Sequence, residues 1–370
     1  LLFKKLSMKR KNLIARKKVK KNKLILKDPK ILYFYTKFKS LVYKNIKNKN
    51  FALAVSGGSD SLCLAYFGKI YSSEFNSKVQ VLIVDHKLRK ESRKEALKVK
   101  YILSKKKIPS KILSWKGKIP IRNIQKNARD IRYSLISNFC LKKSIKYLMT
   151  AHHSDDQIEN FFIRLSRGSG VTGLSSMSAN VKYSSNLRII RPFLNFKKKD
   201  LKHVTLKYFK NYIKDPSNEN DKFLRIKIRK LNKIIEEKKL FNFEKIKKTI
   251  DNITSANSAL SFYKNKAMVK YARFIPNFVE KNSGKYLVNK NLFLNEADEV
   301  VFKLFSDILS EVSQSYYPPR SKKVINLISK VKNNTHHKAT LGGCVIECKS
   351  NYILISKEPM ATKISNQLKK

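Results

Sequence analysis

A short loop rich in Gly and Ser has the residue types best suited to phosphate chemistry. Residues 56–61 come directly after the apolar run Phe51–Val55 and directly before a helix-like segment. Adjacent glycines let the backbone turn its N–H groups onto a phosphate, and the next helix N-terminus adds its dipole. Asp60 suits a Mg²⁺ ion that bridges phosphate oxygens. The alternative is an ordinary turn with Asp60 as a helix cap. The candidate phosphate-binding residues are Ser56, Gly57, Gly58, Ser59, Asp60 and Ser61.

A second polar segment, Ala151–Asn160, reads Ala-His-His-Ser-Asp-Asp-Gln-Ile-Glu-Asn and also follows an apolar run. On a helix, Asp156 and Glu159 are three apart and share a face. Like charges at this spacing destabilise a helix unless a cation neutralises them, so the pattern indicates a substrate ammonium or Mg²⁺. The alternative is helix-start chemistry, because acids near an N-terminus complement the dipole. His152 or His153 taken alone is more often structural than catalytic.

The elements that must position these residues follow from the apolar pattern. Five strand-like runs alternate with helix-like segments, at residues 51–55, 79–84, 111–114, 147–150 and 187–190. Such alternation predicts an α/β fold with a doubly wound parallel sheet, in which ligands bind at the carboxyl ends of the strands. Past about Lys222, long basic segments with helical periodicity predict a helical domain. A small α+β element, with strand-like runs at Thr340–Lys349 and Asn351–Lys357, closes the chain.

The charge of the chain points to a polyanionic partner. It holds 82 Lys and Arg against 26 Asp and Glu, a formal net charge of +56. Nucleic acid relieves the resulting self-repulsion through phosphate contacts. A membrane partner is disfavoured, since no apolar run approaches the roughly 18 residues that a span needs. Drift in an AT-rich genome would also raise the charge, so the charge supports an RNA partner without proving one.

The four cysteines form no Cys-x-x-Cys pair, which predicts a reducing compartment. We expect a bacterial cytoplasm. An organelle stays open as an alternative, because the first 50 residues hold 18 Lys and Arg and the single acid Asp28.

Two pairs of arginines stand at helical spacing. Arg129 and Arg132 are three apart and could meet nucleotide phosphates or RNA; a solvated helix face is the alternative. We assign Arg129 to phosphate and Arg132 to RNA. Arg225 and Arg229 are four apart and could form an RNA-facing stripe. The alternative is an arginine that caps the turn at Asp215–Asn218.

The loop lacks the spacing and the Gly-Lys-Ser/Thr ending of a Walker A motif. It resembles instead the PP-loop of the ATP pyrophosphatases, which split ATP between its α and β phosphates and adenylate a substrate. The order of the further motifs resembles the tRNA(Ile)-lysidine synthases over Phe51 to about Lys230, near half the chain. Asn160 departs from that family, which usually has Thr there. The matching segments are Val84–Arg89, Ala128–Tyr133, Arg167–Gly170, Gly173–Leu174, Arg191–Pro192, Asp215–Asn218, Phe223, Arg225 and Arg229, with Tyr316–Arg320 and Thr340–Cys344 near the end.

The resemblance implies a PP-loop (adenine nucleotide α-hydrolase-like) fold that uses ATP and Mg²⁺. Its implied substrates are free L-lysine and a tRNA(Ile) with the CAU anticodon. ATP would adenylate the oxygen on carbon 2 of the wobble cytidine, and the lysine ε-amine would displace AMP to give lysidine. Asp156 and Glu159 would bind lysine, with either as the base, and Asp60 would hold the metal. These three are the predicted catalytic residues.

Composition, periodicity and the resemblance together divide the chain into four regions. We predict a basic extension over 1–50, an ATP-binding catalytic domain over 51–221, a helical tRNA-binding domain over 222–332 and a β element over 333–370. No membrane partner is expected, and the oligomeric state, a homodimer included, is left open. The alternatives are another PP-loop enzyme, such as a tRNA thiolase or an amide ligase, and a non-catalytic RNA-binding protein.

Overall fold

The structure, a computed structural model, describes residues 26, 28–88, 91–117, 124–213, 224–238, 242–277, 284–315, 318–333 and 338–359. These residues divide into two compact units. The first takes the described residues up to Gly168 and those of 176–247. The second takes Ser169–Ser175 and the described residues from Lys248 onward. Across these ranges no helix combines the length and the apolar character needed to cross a membrane.

A six-stranded sheet forms the centre of the first unit. Its strands are β1 (Phe51–Ala54), β2 (Val79–Asp85), β3 (Ser110–Ser114), β4 (Tyr147–Met149), β5 (Asn180–Ser184) and β6 (Leu187–Ile190). They lie in the order β3-β2-β1-β4-β6-β5. All neighbouring pairs are parallel except β5 with β6, which form an antiparallel pair at one edge. The predicted parallel sheet is confirmed, while the polar edge strand β5 was not predicted.

Helices cover both faces of this sheet. They are α1 (Pro29–Ile46), α2 (Ser59–Glu74), α3 (Ser92–Lys105), α4 (Ile124–Lys142), α5 (Ser154–Leu165), α7 (Lys198–Phe209) and α8 (Leu224–Glu237). Successive strand residues point to opposite faces. Phe51 and Leu53 therefore join a core with α1, α2, α3 and α7, whereas Ala52 joins a second core with α4.

The chain reverses its direction across the sheet beside β1. It runs outward from β1 to β2 and β3 and then returns to β4 on the other side of β1. In doubly wound sheets, ligands bind in the crevice at such a switch point. The loops that follow β1 and β4, which carry the two predicted motifs, therefore meet there.

The first described helix lies within the first core, so the predicted boundary at residue 50 differs from the structure. Asp28 caps α1 by accepting hydrogen bonds from the N–H groups of Lys30 and Ile31, and Pro29 occupies its first turn. The ring of Phe38 lies 5.4 Å from that of Phe67. Apolar residues at helical spacing thus bury one face of a segment whose other face is basic. Residues 1–25 lie outside the described residues.

The second unit contains a five-stranded antiparallel sheet. Its strands are β7 (Ala272–Pro276), β8 (Gly284–Asn289), β9 (Lys338–Leu341), β10 (Cys344–Cys348) and β11 (Tyr352–Lys357), in the order β7-β8-β11-β10-β9. Its helices are α6 (Val171–Leu174), the second unit's part of α9 (Phe243–Tyr271), α10 (Leu292–Asn295), α11 (Asp298–Ser313) and α12 (Ser321–Lys332).

The predicted strand Asn351–Lys357 corresponds to β11, whereas the run Thr340–Lys349 is divided by a turn at Gly342–Gly343 between β9 and β10. The region expected to be helical also holds strands. β7 and β8 lie within 222–332, and β8 pairs with β11, about 65 residues later in the chain. That pairing is remote in sequence, so local periodicity does not reveal it. Hence β7 and β8 belong to one sheet with the C-terminal strands, across the boundary predicted at residue 332.

A buried lysine ties the short segment Ser169–Ser175 to the rest of the second unit. Lys303 of α11 is 8% exposed. Its ammonium donates to Asn257 Oδ1 at 2.7 Å and to Thr172 Oγ1 at 3.2 Å. Asn257 in turn donates to Ser175 Oγ at 3.3 Å. Burial lowers the pKa of Lys303, because it removes water from the ammonium. The two side-chain oxygens accept hydrogen bonds from the ammonium in place of that water.

Candidate active site at the switch point of the sheet

The loop after β1 is held in shape by its own last serine. Ser61 Oγ accepts hydrogen bonds from the N–H groups of Ser56, at 3.2 Å, and Gly57, at 3.1 Å. The same hydroxyl donates to Gly58 O at 3.0 Å. Ser61, predicted to bind phosphate, thus also closes the loop.

Gly57 is required by both backbone angle and space. Its φ is +93°, in the region that favours glycine, and a Cβ there would lie 2.5 Å from Val99 Cγ2. Gly58 differs, because a Cβ there would meet nothing nearer than 3.9 Å. Gly58 is the N-cap of α2 and forms no side-chain cap hydrogen bond. Asp60 therefore is not the cap, and the first turn of α2 presents N–H groups suited to an anion.

Two residues that were not predicted from the sequence donate hydrogen bonds to carbonyl oxygens of the loop. Thr205 of α7, fully buried, donates its hydroxyl to Ser59 O at 2.6 Å. Ile213 donates its N–H to Gly57 O at 2.9 Å. Neither residue stands in a recognisable motif, so only the fold reveals these contacts.

His153 joins the loop to the acid pair. Its Nε2 lies 3.6 Å from Asp60 Oδ2 and 3.5 Å from Asp156 Oδ2, and the residue is 3% exposed. Burial alone lowers the pKa of His153, but hydrogen bonding to Asp60 and the charge of Asp156 outweigh it and raise the pKa. The opposite nitrogen, Nδ1, accepts a weak bond of 3.4 Å from Asp156 N–H when unprotonated, and lies 3.9 Å from Asp155 Oδ1. His153 is thus the N-cap of α5 and also the residue whose ring links Asp60 of the loop to Asp156.

The predicted acids are buried and already carry cationic partners. Glu159 accepts from Arg225 Nε at 2.8 Å and from Arg229 Nε at 2.6 Å. Asp156 accepts from Arg225 Nη2 at 3.1 Å. Burial raises the pKa of Asp156, but the charges of His153 and Arg225 outweigh it and hold that pKa below its usual range. Two carboxylates and two guanidinium groups thus form one compensated cluster.

This cluster changes the interpretation of α8. Arg225 and Arg229 were expected to face RNA, whereas the structure directs both guanidinium groups at the acids. The physical reason is that two buried carboxylates on α5 are stabilised only by nearby cations. The alternative partner, the turn at Asp215–Asn218, lies outside the described residues, as do Arg89, Phe223 and Tyr316–Tyr317. The roles of the two arginines in RNA binding stay predictions.

The two arginines of α4 have different surroundings. The Arg129 guanidinium lies 5.0 Å from the centre of the Tyr133 ring. Arg132 Nε donates to His86 Nε2 at 3.3 Å, just past β2. Burial and the charge of Arg132 lower the pKa of His86 to about 4, so His86 accepts this bond as a neutral ring. Burial lowers the pKa of His152 to about 3, with the charges of Arg191 and Arg129 adding to the effect.

A buried aspartate at the end of β2 was not assigned a role from the sequence. Asp85 is 1% exposed and accepts from Lys87 N–H at 3.1 Å and from Ser114 Oγ at 3.4 Å. Arg93 Nη1 lies 4.0 Å from its Oδ2. The position of Asp85 directly after an apolar strand was the signal that could have identified it.

Comparisons with known proteins bear on the family and the fold of this chain. The PP-loop domain family matches residues 32–237. The tRNA(Ile)-lysidine synthase of Orientia tsutsugamushi (strain Boryong) is 34% identical over 333 residues, which cover 87% of this chain and 74% of that protein. The enzyme of the same name from Rickettsia prowazekii (strain Madrid E) is 32% identical, with 88% and 74% covered. Among solved structures, the U34-tRNA thiolase NcsA from Methanococcus maripaludis with its [4Fe-4S] cluster superposes with a TM-score of 0.51 at 18% identity. That match covers 60% of this chain and 80% of the thiolase, and it supports the fold alone.

Proposed function

Because this chain belongs to the tRNA(Ile)-lysidine synthases, a family with a PP-loop domain, we propose that it ligates lysine to a tRNA. The reaction joins the ε-amine of free L-lysine to carbon 2 of the wobble cytidine in a tRNA(Ile) with the CAU anticodon, and ATP leaves as AMP and pyrophosphate. The observation that carries the proposal is the contact of the phosphate loop with the acid pair through His153, within 3.6 Å on each side. These distances support a single crevice in which the loop would hold an anion and the acid pair an ammonium.

In the first step, the oxygen on carbon 2 of the cytidine attacks the α-phosphorus of ATP and pyrophosphate departs. The loop N–H groups and the first turn of α2 would hold the phosphates, with Arg129 near them, and would stabilise the charge on the departing group. The adenylated oxygen is then a good leaving group.

The residues fit Mg²⁺ that arrives with the nucleotide. Among the described residues, no group of three or more His, Cys, Asp or Glu side chains is placed to hold a metal ion. Mg²⁺ commonly keeps its waters and binds one or two carboxylates together with phosphates, rather than a cage of protein ligands. Asp60, whose side chain is 22% exposed, is the carboxylate beside the loop that suits this role. When bound, Mg²⁺ supplies charge neutralisation to the phosphates.

In the second step, the lysine ε-amine attacks carbon 2 and AMP departs. Asp156 and Glu159 would bind the incoming ammonium, and one of them would accept its proton so that the amine becomes nucleophilic. The ammonium replaces part of the positive charge that Arg225 and Arg229 now supply. An exchange of one cation for another keeps the buried acids neutralised throughout.

The test is incorporation of labelled lysine into a tRNA(Ile) transcript with the CAU anticodon, with the methionine tRNA of the same anticodon as control. We expect labelling that depends on ATP and occurs on the isoleucine transcript alone. Pyrophosphate release with a different RNA or amine acceptor, without lysine labelling, would contradict the proposed substrates and retain the ATP chemistry.

A further inference from the structure

A stripe of exposed side chains on α9 lies apart from the residues used above. Phe262, Asn265, Lys266 and Val269 stand at positions i, i+3, i+4 and i+7, so they share one helix face. They line an open depression of about 370 Å³. Phe262 is 56% exposed and Val269 is 88% exposed. We call these four residues the α9 surface. Exposed apolar side chains that cluster in this way mark interaction sites.

The aromatic ring of this surface is held in place by its neighbours. Phe262 packs edge-on against Tyr263, with ring centres 5.6 Å apart at 81°. The Lys266 ammonium lies 4.9 Å from the centre of the Phe262 ring. The ring remains more than half exposed despite both contacts. A positioned aromatic ring beside a cation is the combination on which nucleic-acid bases stack while their phosphates are neutralised.

The charge around the surface selects the class of partner. Between Asp251 and Glu280 the chain holds four cations, Lys264, Lys266, Lys270 and Arg273, and no acidic residue. Lys264 forms an ion pair with Asp307 of α11 at 2.8 Å, so the local excess of positive charge comes from the other three. A second copy of this chain would add another net charge of +56 and be repelled. A polyanion is attracted by the same charge. RNA therefore suits the α9 surface better than another copy of the protein.

We propose that the α9 surface binds an unpaired nucleotide of the tRNA, with the base stacked on Phe262 and a phosphate beside Lys266. The inference rests on the proposed function for the identity of the RNA. The nucleotide must be unpaired because a duplex hides the faces of its bases. The depression is lined by a single helix, so it suits a flat base on the surface rather than a small molecule enclosed on all sides.

The test measures RNA affinity for Phe262→Ala, Phe262→Trp and the control Leu294→Ala, an exposed apolar residue of the same unit (82% exposed). The RNAs are the tRNA(Ile) transcript, a short single-stranded RNA and a blunt duplex of equal length. Phe262→Ala should weaken binding of the first two about tenfold or more and leave the duplex unchanged, while Phe262→Trp keeps wild-type affinity. Lys266→Ala should lower the slope of log affinity against log salt by about one.

The proposal is overturned if Phe262→Ala affects the RNAs no more than Leu294→Ala, or weakens duplex and single strand equally. Lysine labelling by the wild-type protein is measured separately. If the protein does not label the tRNA but binds RNA in a way that depends on Phe262, the proposed reaction is contradicted and RNA binding by the α9 surface is supported. Phe262→Ala should raise the KM for tRNA in the labelling assay by about the factor by which it weakens tRNA binding.

Discussion

Replacement of Glu159 by Gln tests whether the acid pair holds lysine. The side chain keeps its shape but loses its charge. In the wild type, the carboxylate accepts hydrogen bonds from Arg225 Nε at 2.8 Å and Arg229 Nε at 2.6 Å. In the variant, an amide takes its place. One of the two hydrogen bonds survives on the amide oxygen. The other guanidinium meets an NH₂ group, so the compensated cluster gains one net positive charge.

The magnitude follows from the loss of a charge-assisted contact. A hydrogen bond to a charged group contributes about 1.5–3 kcal/mol, and about 2 kcal/mol corresponds to a roughly 30-fold rise in the KM for lysine. Stability should fall less, by about 1–2 kcal/mol. The side chains of Arg225 and Arg229 are 41% and 27% exposed, so water screens the uncompensated charge. ATP affinity should stay within about twofold, because Glu159 contacts α8 rather than the phosphate loop.

The assay is lysine-dependent labelling of tRNA at varied lysine, with ATP affinity measured by equilibrium binding. Asp155→Asn is the matched control, since Asp155 is one turn away on the same helix with a side chain 47% exposed. A lysine KM that is unchanged in Glu159→Gln, or raised equally in Asp155→Asn, would refute the assignment of the acid pair to lysine.

Three further perturbations test the parts around this pair. Gly57→Ala should destabilise the protein by about 2 kcal/mol or more and abolish ATP binding. The reason is that Gly57 has φ +93° and that a Cβ there would lie 2.5 Å from a neighbouring side chain. Thermal melts measure the loss, and Gly58→Ala is the control that should be tolerated. Thr205→Val should cost about 1–2 kcal/mol in urea unfolding by removing the buried donor to Ser59 O, and Thr205→Ser should recover it; equal stability of the two variants would contradict the role of the hydroxyl. His153 has a raised pKa in the folded state, so its contribution to stability is present below the unfolded pKa of about 6.5 and is lost as pH rises through the folded value. Urea unfolding at pH 6 and pH 9 should show this loss in the wild type and a smaller one in His153→Gln.

Much of the site could be predicted because local sequence encodes it. The Gly-Gly pair, the preceding apolar strand and the following helix are all contiguous, and a parallel sheet brings their carboxyl ends together. The spacing of Asp156 and Glu159 likewise placed both on one helix face. What could not be predicted is the partner of that face. Arg225 lies 66 residues from Glu159 in the chain, and an amphipathic basic helix has the same pattern whether its arginines meet acids or RNA.

The fold shows the same division between local and remote information. α1 was missed as part of the first core because residues 1–50 were taken together as one basic extension. Residues 29–46 hold only four lysines, and Phe34 and Phe38 are buried there at helical spacing. β8 was missed because it pairs with β11, which lies beyond residue 338, and β7 joins the sheet through its pairing with β8. A strand that depends on pairing with a distant segment has weak local signals.

The segment Ser169–Ser175 makes neither unit a continuous stretch of chain. It belongs to the second unit, although the residues before and after it belong to the first, and it is held there by Lys303 and Asn257. A fragment that begins at Lys248 would leave the buried ammonium of Lys303 without Thr172, and a fragment that ends at Lys247 would retain an insert without its own core. Neither unit can therefore be cut out as one continuous stretch of chain. Excision or grafting of the C-terminal half has to carry this small insert along, for instance as a segment fused through a linker to the start of α9.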